Sequence, residues 1–114
     1  MTRRRQALGA AGEQAAAAWY EARGYVVLAR NWRCRDGELD LVLALGRTVV
    51  FCEVKTRTSV AFGAPIEAVG PAKQARLRRL AARWLEDPPF RPAELRFDVA
   101  SVLGGRVEVV EAAF

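Results

Sequence analysis

Hydrophobic and polar positions along the chain change period several times, and each change marks a predicted element. From residue 8 to 23 the period is helical. Leu8, Ala11, Ala15, Ala18, Trp19 and Ala22 recur at near-helical spacing, and Gly24 stands where a helix would stop. A second stripe of the same helix, Glu13, Ala16, Ala17, Tyr20 and Gly24, also offers a face to protein. Glu13 is therefore either a solvated surface acid or a residue turned inward. Tyr25 to Asn31 is a compact β-prone run. Cys34-Arg35-Asp36-Gly37 reads as a turn. Period two then governs Glu38 to Ala44 and, beyond a turn at Gly46, Thr48 to Thr56.

Ser59 to Gly70, with Gly63, Pro65 and Gly70, reads as a connecting loop of about a dozen residues. Pro71 suits the first turn of a second helix, with Leu77, Leu80, Ala81, Trp84 and Leu85 as its apolar stripe and Lys73, Arg76, Arg79 and Arg83 on another face. Asp87-Pro88-Pro89 ends that helix. Leu95 to Leu103 is a fourth strand, Gly104-Gly105 a two-residue hairpin turn, and Arg106 to Glu111 a fifth strand. Short turns make the first three strands antiparallel, while the helix after residue 70 can carry the chain to a parallel fourth. The expectation is one α/β domain over residues 1–114, a mixed sheet with flanking helices in the order αβββαββ.

Composition narrows the chemistry. The chain has no histidine, which removes the usual zinc sets, a Ser-His-Asp triad and a Cys-His dyad. Cys34 and Cys52 lie in different segments without CxxC spacing, as expected of a reduced, cytoplasmic protein. A catalytic metal would have to be held by carboxylates and carbonyls, which points to Mg or Mn. The arginine-rich start is not followed by a long apolar run, so neither a secretory signal nor a membrane span is expected. A net charge of +5 is concentrated in Arg3-Arg4-Arg5 and in five basic residues between Lys73 and Arg83. Such clusters are either solvated faces or contacts for a polyanion.

The candidate chemistry lies in the second and third strands. Alternation places Glu38, Asp40 and Val42 on one face of the second, with Leu39, Leu41 and Leu43 on the other; on the third it places Glu53 and Lys55 with Phe51. If Leu45-Gly46 is the hairpin turn, Glu38 falls opposite Glu53 and Asp40 lies diagonally from it, roughly 5 to 8 Å away. Asp40 and Glu53, with the backbone carbonyl of Val54, would suit a divalent cation. Lys55 would orient a nucleophile and stabilise developing negative charge on a phosphodiester. The other reading is a solvated sheet face carrying salt bridges. On spacing alone both readings stand.

Asp40 followed by Glu53-Val54-Lys55 resembles the PD-(D/E)xK motif of the restriction-endonuclease-like superfamily, whose core order is also helix, three strands, helix, strand. The closer resemblance is to the YraN-type family of small bacterial proteins. It is carried by Gly12-Glu13, Ala15-Ala16, Gly24-Tyr25, Arg30-Asn31-Trp32-Arg33, Gly37-Glu38-Leu39-Asp40-Leu41, Phe51 to Arg57, Phe62-Gly63, Glu67-Ala68-Val69, Lys73 and Arg96-Phe97-Asp98-Val99. The resemblance implies a nuclease-like fold and nucleic-acid binding. Similarity to archaeal Holliday junction resolvases implies Glu13 as a third carboxylate of the metal site. Leu39 stands where the strict motif has proline, and Glu38 is an additional acid. Thr56, Arg57, Lys73 and Arg76 are candidate phosphate contacts, although Arg57 can equally pair with Glu67. Trp19, Trp32 and Trp84 are assigned to packing. The expected activity is Mg- or Mn-dependent cleavage of structured, branched or single-stranded DNA, with RNA left open as a substrate and dimerisation as one route to shape recognition. The rivals are a non-catalytic nucleic-acid-binding module and a protein-interaction subunit.

Overall fold

The computed structural model describes residues 3–57 and 69–114, with side chains from Leu8 onward. The elements are α1 (Arg3–Glu21), β1 (Val26–Cys34), β2 (Gly37–Leu45), β3 (Thr48–Arg57), α2 (Pro71–Trp84), β4 (Glu94–Leu103) and β5 (Arg106–Val110). The predicted α/β order αβββαββ is the observed one. The 58–68 connection, with Phe62-Gly63, Pro65 and Glu67, lies outside the described residues.

The five strands form one sheet in the order β1-β2-β3-β4-β5. β1, β2 and β3 are an antiparallel meander, β4 joins β3 in parallel, and β5 returns antiparallel to β4. Local chemistry explains the junctions. Gly24, at φ +88°, closes α1: the Gly24 N–H bonds to the Glu21 carbonyl and the Tyr25 N–H to that of Tyr20, satisfying the last turn. Gly104 and Gly105 both have positive φ, as a two-residue hairpin of this twist requires. Pro71 opens α2, where a missing N–H costs nothing.

Each helix buries its stripe on one face of the sheet. Leu77, Leu80, Ala81 and Trp84 of α2 pack on Val42, Val49, Phe51, Phe97 and Val99. Ala16, Ala17 and Tyr20 of α1 pack on Leu41, Leu43, Val50, Cys52, Ala100 and Val102. The three tryptophans pack against these clusters, as expected. In α1 the buried face is the second stripe, not the first: Leu8 is 40% exposed and Ala11 and Ala18 are exposed. Small residues win because they let the helix approach the sheet closely. Gly12 shows how closely, since a Cβ built there would lie 1.9 Å from Thr56 Oγ1.

The alternation of apolar and charged residues in β4 does not mark a solvated face. Asp98 is fully buried under α1. Its carboxylate accepts from Tyr20 Oη at 2.7 Å, from Arg96 Nε and Nη2 at 2.9 Å each, and from the Ala112 N–H at 3.0 Å. Four donors on two oxygens stabilise an ion that burial alone would destabilise. The same carboxylate ties α1, β4 and the segment after β5 together.

Candidate active site

The site forms where the sheet divides. The β2–β3 ladder runs from Leu45↔Thr48 to Leu41↔Cys52 and stops. Beyond that point β2 stays with β1 as far as Gly37, and β3 stays with β4 as far as Arg57. Asp40 stands in the opening. Its Oδ2 accepts the Val54 N–H at 2.8 Å, giving that amide a partner where the ladder has ended.

The register differs from the expected one. The turn is Gly46-Arg47, not Leu45-Gly46, because Gly46 takes φ +59° as the first central residue of a two-residue turn. The pairing moves by two residues, so side chains keep their faces. Continued one step, it sets Asp40 directly opposite Glu53, the place expected for Glu38. Glu38 instead pairs outward with Arg33 at 3.0 Å, its cross-strand neighbour. Alternation also fails at Leu39, which packs with Val42 on the α2 side and not with Leu41 and Leu43. The break falls where β2 leaves β3.

Glu53 is buried, at 7% exposure, and Lys73 of α2 places its Nζ 3.0 Å from Glu53 Oε2. This is an ion pair by distance. No donor is aligned on that oxygen, however, and among the described residues it is the buried side-chain oxygen left without a hydrogen bond. The Asp40 and Glu53 carboxyl groups share a hydrogen bond. Burial, then the adjacent Glu53, push the Asp40 carboxyl up to about 8, against the pull of the Val54 N–H. Burial would raise Glu53 too, but the hydrogen bond with Asp40, Lys73 and the charge of Lys55 outweigh it and hold Glu53 below its ordinary value. The pair therefore shares one proton near neutral pH.

Glu13 approaches from α1 and interacts with Glu38, Asp40 and Glu53. Burial raises its pKa and the Asn31 amide lowers it, with burial prevailing. In the amide orientation that satisfies both groups, Asn31 Nδ2 is 2.9 and 3.2 Å from the two Glu13 oxygens. Asn31 adopts φ +48°, a conformation asparagine tolerates better than most residues. Gly12, the residue before Glu13, sits directly on Thr56.

Residues 12–102 match the sequence profile of the uncharacterised protein family UPF0102. The chain belongs to this family. It is 58% identical over 104 residues to a UPF0102 protein of Beutenbergia cavernae, covering 91% of this chain and 88% of that protein. A UPF0102 protein of Mycolicibacterium vanbaalenii is 53% identical over 110 residues, covering 96% and 91%. The YraN-type resemblance is thereby borne out. The UPF0102 match takes in Glu13, Asp40, Glu53 and Lys55.

Within this UPF0102 fold, Glu13, Asp40 and Glu53 are neighbours, and Lys55 is close enough for its charge to favour the Glu53 carboxylate. Val54 contacts Asp40 through its N–H. Thr56 lies against Gly12 on the α1 side, whereas Lys73 reaches Glu53 from the α2 side. Arg57 ends β3, and its alternative partner Glu67 lies outside the described residues. Among the described residues no three acidic or thiol side chains converge tightly enough to enclose a cation as they stand. The donors nonetheless fit a hard divalent cation: they are all oxygens, one is buried without a hydrogen bond, and two carboxyls share a proton that a cation would replace. Asn31 and the Lys73–Glu53 pair were absent from the sequence expectation for the metal site. Asn31 carried a signal, as part of the Arg30-Asn31-Trp32-Arg33 run.

Proposed function

We propose that this protein binds nucleic acid and cleaves its phosphodiester backbone at the β2–β3 fork, in the manner of restriction-endonuclease-like enzymes. The carrying observation is the juxtaposition of Asp40 and Glu53 at the point where the sheet opens, with one Glu53 oxygen buried and lacking a hydrogen bond. Asp40, Glu53 and the Val54 carbonyl would hold Mg or Mn, with Glu13 as a further ligand. The cation supplies Lewis acidity toward a phosphate oxygen and lowers the pKa of bound water. Lys55 orients the attacking water and offsets charge developing on the phosphate. Asn31 holds Glu13 in place, and Gly12 sets the depth of the helix that carries it. Lys73 neutralises Glu53 until a cation takes over that role. Structured or branched DNA in the cytoplasm is the substrate class best matched to so small a basic chain, and no described helix is long and apolar enough to cross a membrane.

A second reading has its own support. Lys73 on Glu53, without three converging acids among the described residues, is also what a binding module that retained the scaffold would show. A panel of branched, flapped and single-stranded DNAs in Mn separates the two. The enzyme reading expects cleavage that is lost in Glu53→Ala and Lys55→Ala. Binding by all three proteins without cleavage by any would establish the binding module instead.

A further inference from the structure

Next to the fork, the tip of the β1–β2 hairpin and one side of α2 enclose an open groove of about 590 Å³. Its described walls carry Arg33, Arg35, Lys73 and Arg76, with Asp36 and Glu38 as their acids. The acids are already matched: Glu38 with Arg33 at 3.0 Å, and Asp36 with Arg83 at 3.0 Å. Lys73 is engaged by Glu53. Arg35 and Arg76 are exposed and have no acidic partner among the described residues.

Arg76 has a defined seat. Its Nη2 lies 2.8 Å, and its Nε 3.3 Å, from where a Cβ on Gly37 would be. Gly37 has φ +141° and no side chain, so the guanidinium lies over the hairpin backbone beside Arg35. The Arg83–Asp36 pair fixes α2 to the same hairpin two turns further along.

We propose that this groove binds phosphate groups of a nucleic-acid backbone leading away from the fork, with Arg76 and Arg35 as the principal contacts. The inference rests on the nucleic-acid reading above and adds the path and mode of binding. Two guanidinium groups without carboxylate partners match the geometry of phosphate oxygens. Among the described residues the groove has no aromatic lining, and the three tryptophans pack in or against the core clusters. Its described walls therefore offer phosphate contacts and not base stacking, and the contact is independent of sequence.

The test is fluorescence anisotropy with labelled duplex and branched DNA in EDTA, where metal-dependent cleavage cannot occur. Wild type is compared with Arg35→Ala, Arg76→Ala, Arg76→Lys, the Arg35→Ala/Arg76→Ala pair and a control, Arg106→Ala, in β5. Arg76→Ala and Arg35→Ala are each expected to weaken binding about 3- to 10-fold and to lower the salt slope by about one. The double variant should lose more, Arg76→Lys less, and oligonucleotides of different sequence should respond alike. Affinities within twofold of wild type for both arginine variants and their pair, with wild type binding DNA, would overturn the groove and leave the functional reading standing. An equal loss in Arg106→Ala would show a net-charge effect and overturn the groove as a site. Failure of wild type to bind any of the DNAs would overturn the functional reading, and the groove with it.

Discussion

Two glycines three residues apart in α1 should respond to alanine in opposite directions. A Cβ at Gly9 meets nothing within 4 Å among the described residues, so Gly9→Ala should give the ordinary gain of an alanine in a helix, about 1 kcal/mol. A Cβ at Gly12 would meet Thr56 Oγ1 at 1.9 Å, Cβ at 3.0 Å and Cγ2 at 3.1 Å. Rotating the threonine can turn its hydroxyl away, but Thr56 Cβ stays 3.0 Å from the added carbon, so α1 or β3 must give. Overpacking of this kind costs about 1–3 kcal/mol, and the helix-propensity gain offsets about 1 of it. Gly12→Ala should therefore destabilise by up to about 2 kcal/mol, while Gly9→Ala stabilises. Urea unfolding of both variants and wild type measures the difference. In a double-mutant cycle, Gly12→Ala should cost little in the background of Thr56→Gly, because the side chain that clashes is gone. Equal stabilisation by Gly9→Ala and Gly12→Ala would refute the seating of α1 on β3, and with it the account of how Glu13 reaches the fork.

Two further predictions concern buried acids. Asp98→Ala strips the partner from Arg96 and leaves Tyr20 Oη buried without its acceptor, so it should cost about 3–5 kcal/mol in urea unfolding; a loss below 1 kcal/mol would contradict the network. For Asp40, the metal-free folded state keeps a proton up to about pH 8 that the unfolded chain releases near pH 4. Its contribution to stability therefore falls as pH rises between those values, whereas Glu53, held below its ordinary pKa, acts only at more acidic pH. Relative to wild type, Asp40→Asn should gain roughly 1–3 kcal/mol between pH 5 and pH 8 in EDTA. Parallel stability curves would refute the shared proton.

Elements were legible where a residue has a single backbone use. Gly24, Pro71 and Gly104-Gly105 marked ends and turns because other residues fit there poorly. Faces were legible in β3, where alternation is regular. The hairpin register was not, because Gly46 can serve either of two adjacent two-residue turns; both preserve parity, so the shared face of Asp40 and Glu53 survived a shift that exchanged their partners. Which of the two stripes of α1 is buried was not legible, because hydrophobicity favours Leu8, while close approach to a sheet favours Gly12 and Ala16. The roles of Asp98 and Lys73 were not legible because their partners lie far along the chain. Only folding brings Tyr20 to Asp98, or Lys73 to Glu53.

The central claim is that Asp40 and Glu53, meeting where β2 parts from β3, form one site for a divalent cation. Calorimetric titration of Mn into wild type, Asp40→Asn, Glu53→Gln and Glu38→Gln tests it most directly. One site is expected in wild type, unchanged in Glu38→Gln and weakened at least tenfold in Asp40→Asn and Glu53→Gln. Equal affinity in all four proteins, or no binding by wild type, would contradict it.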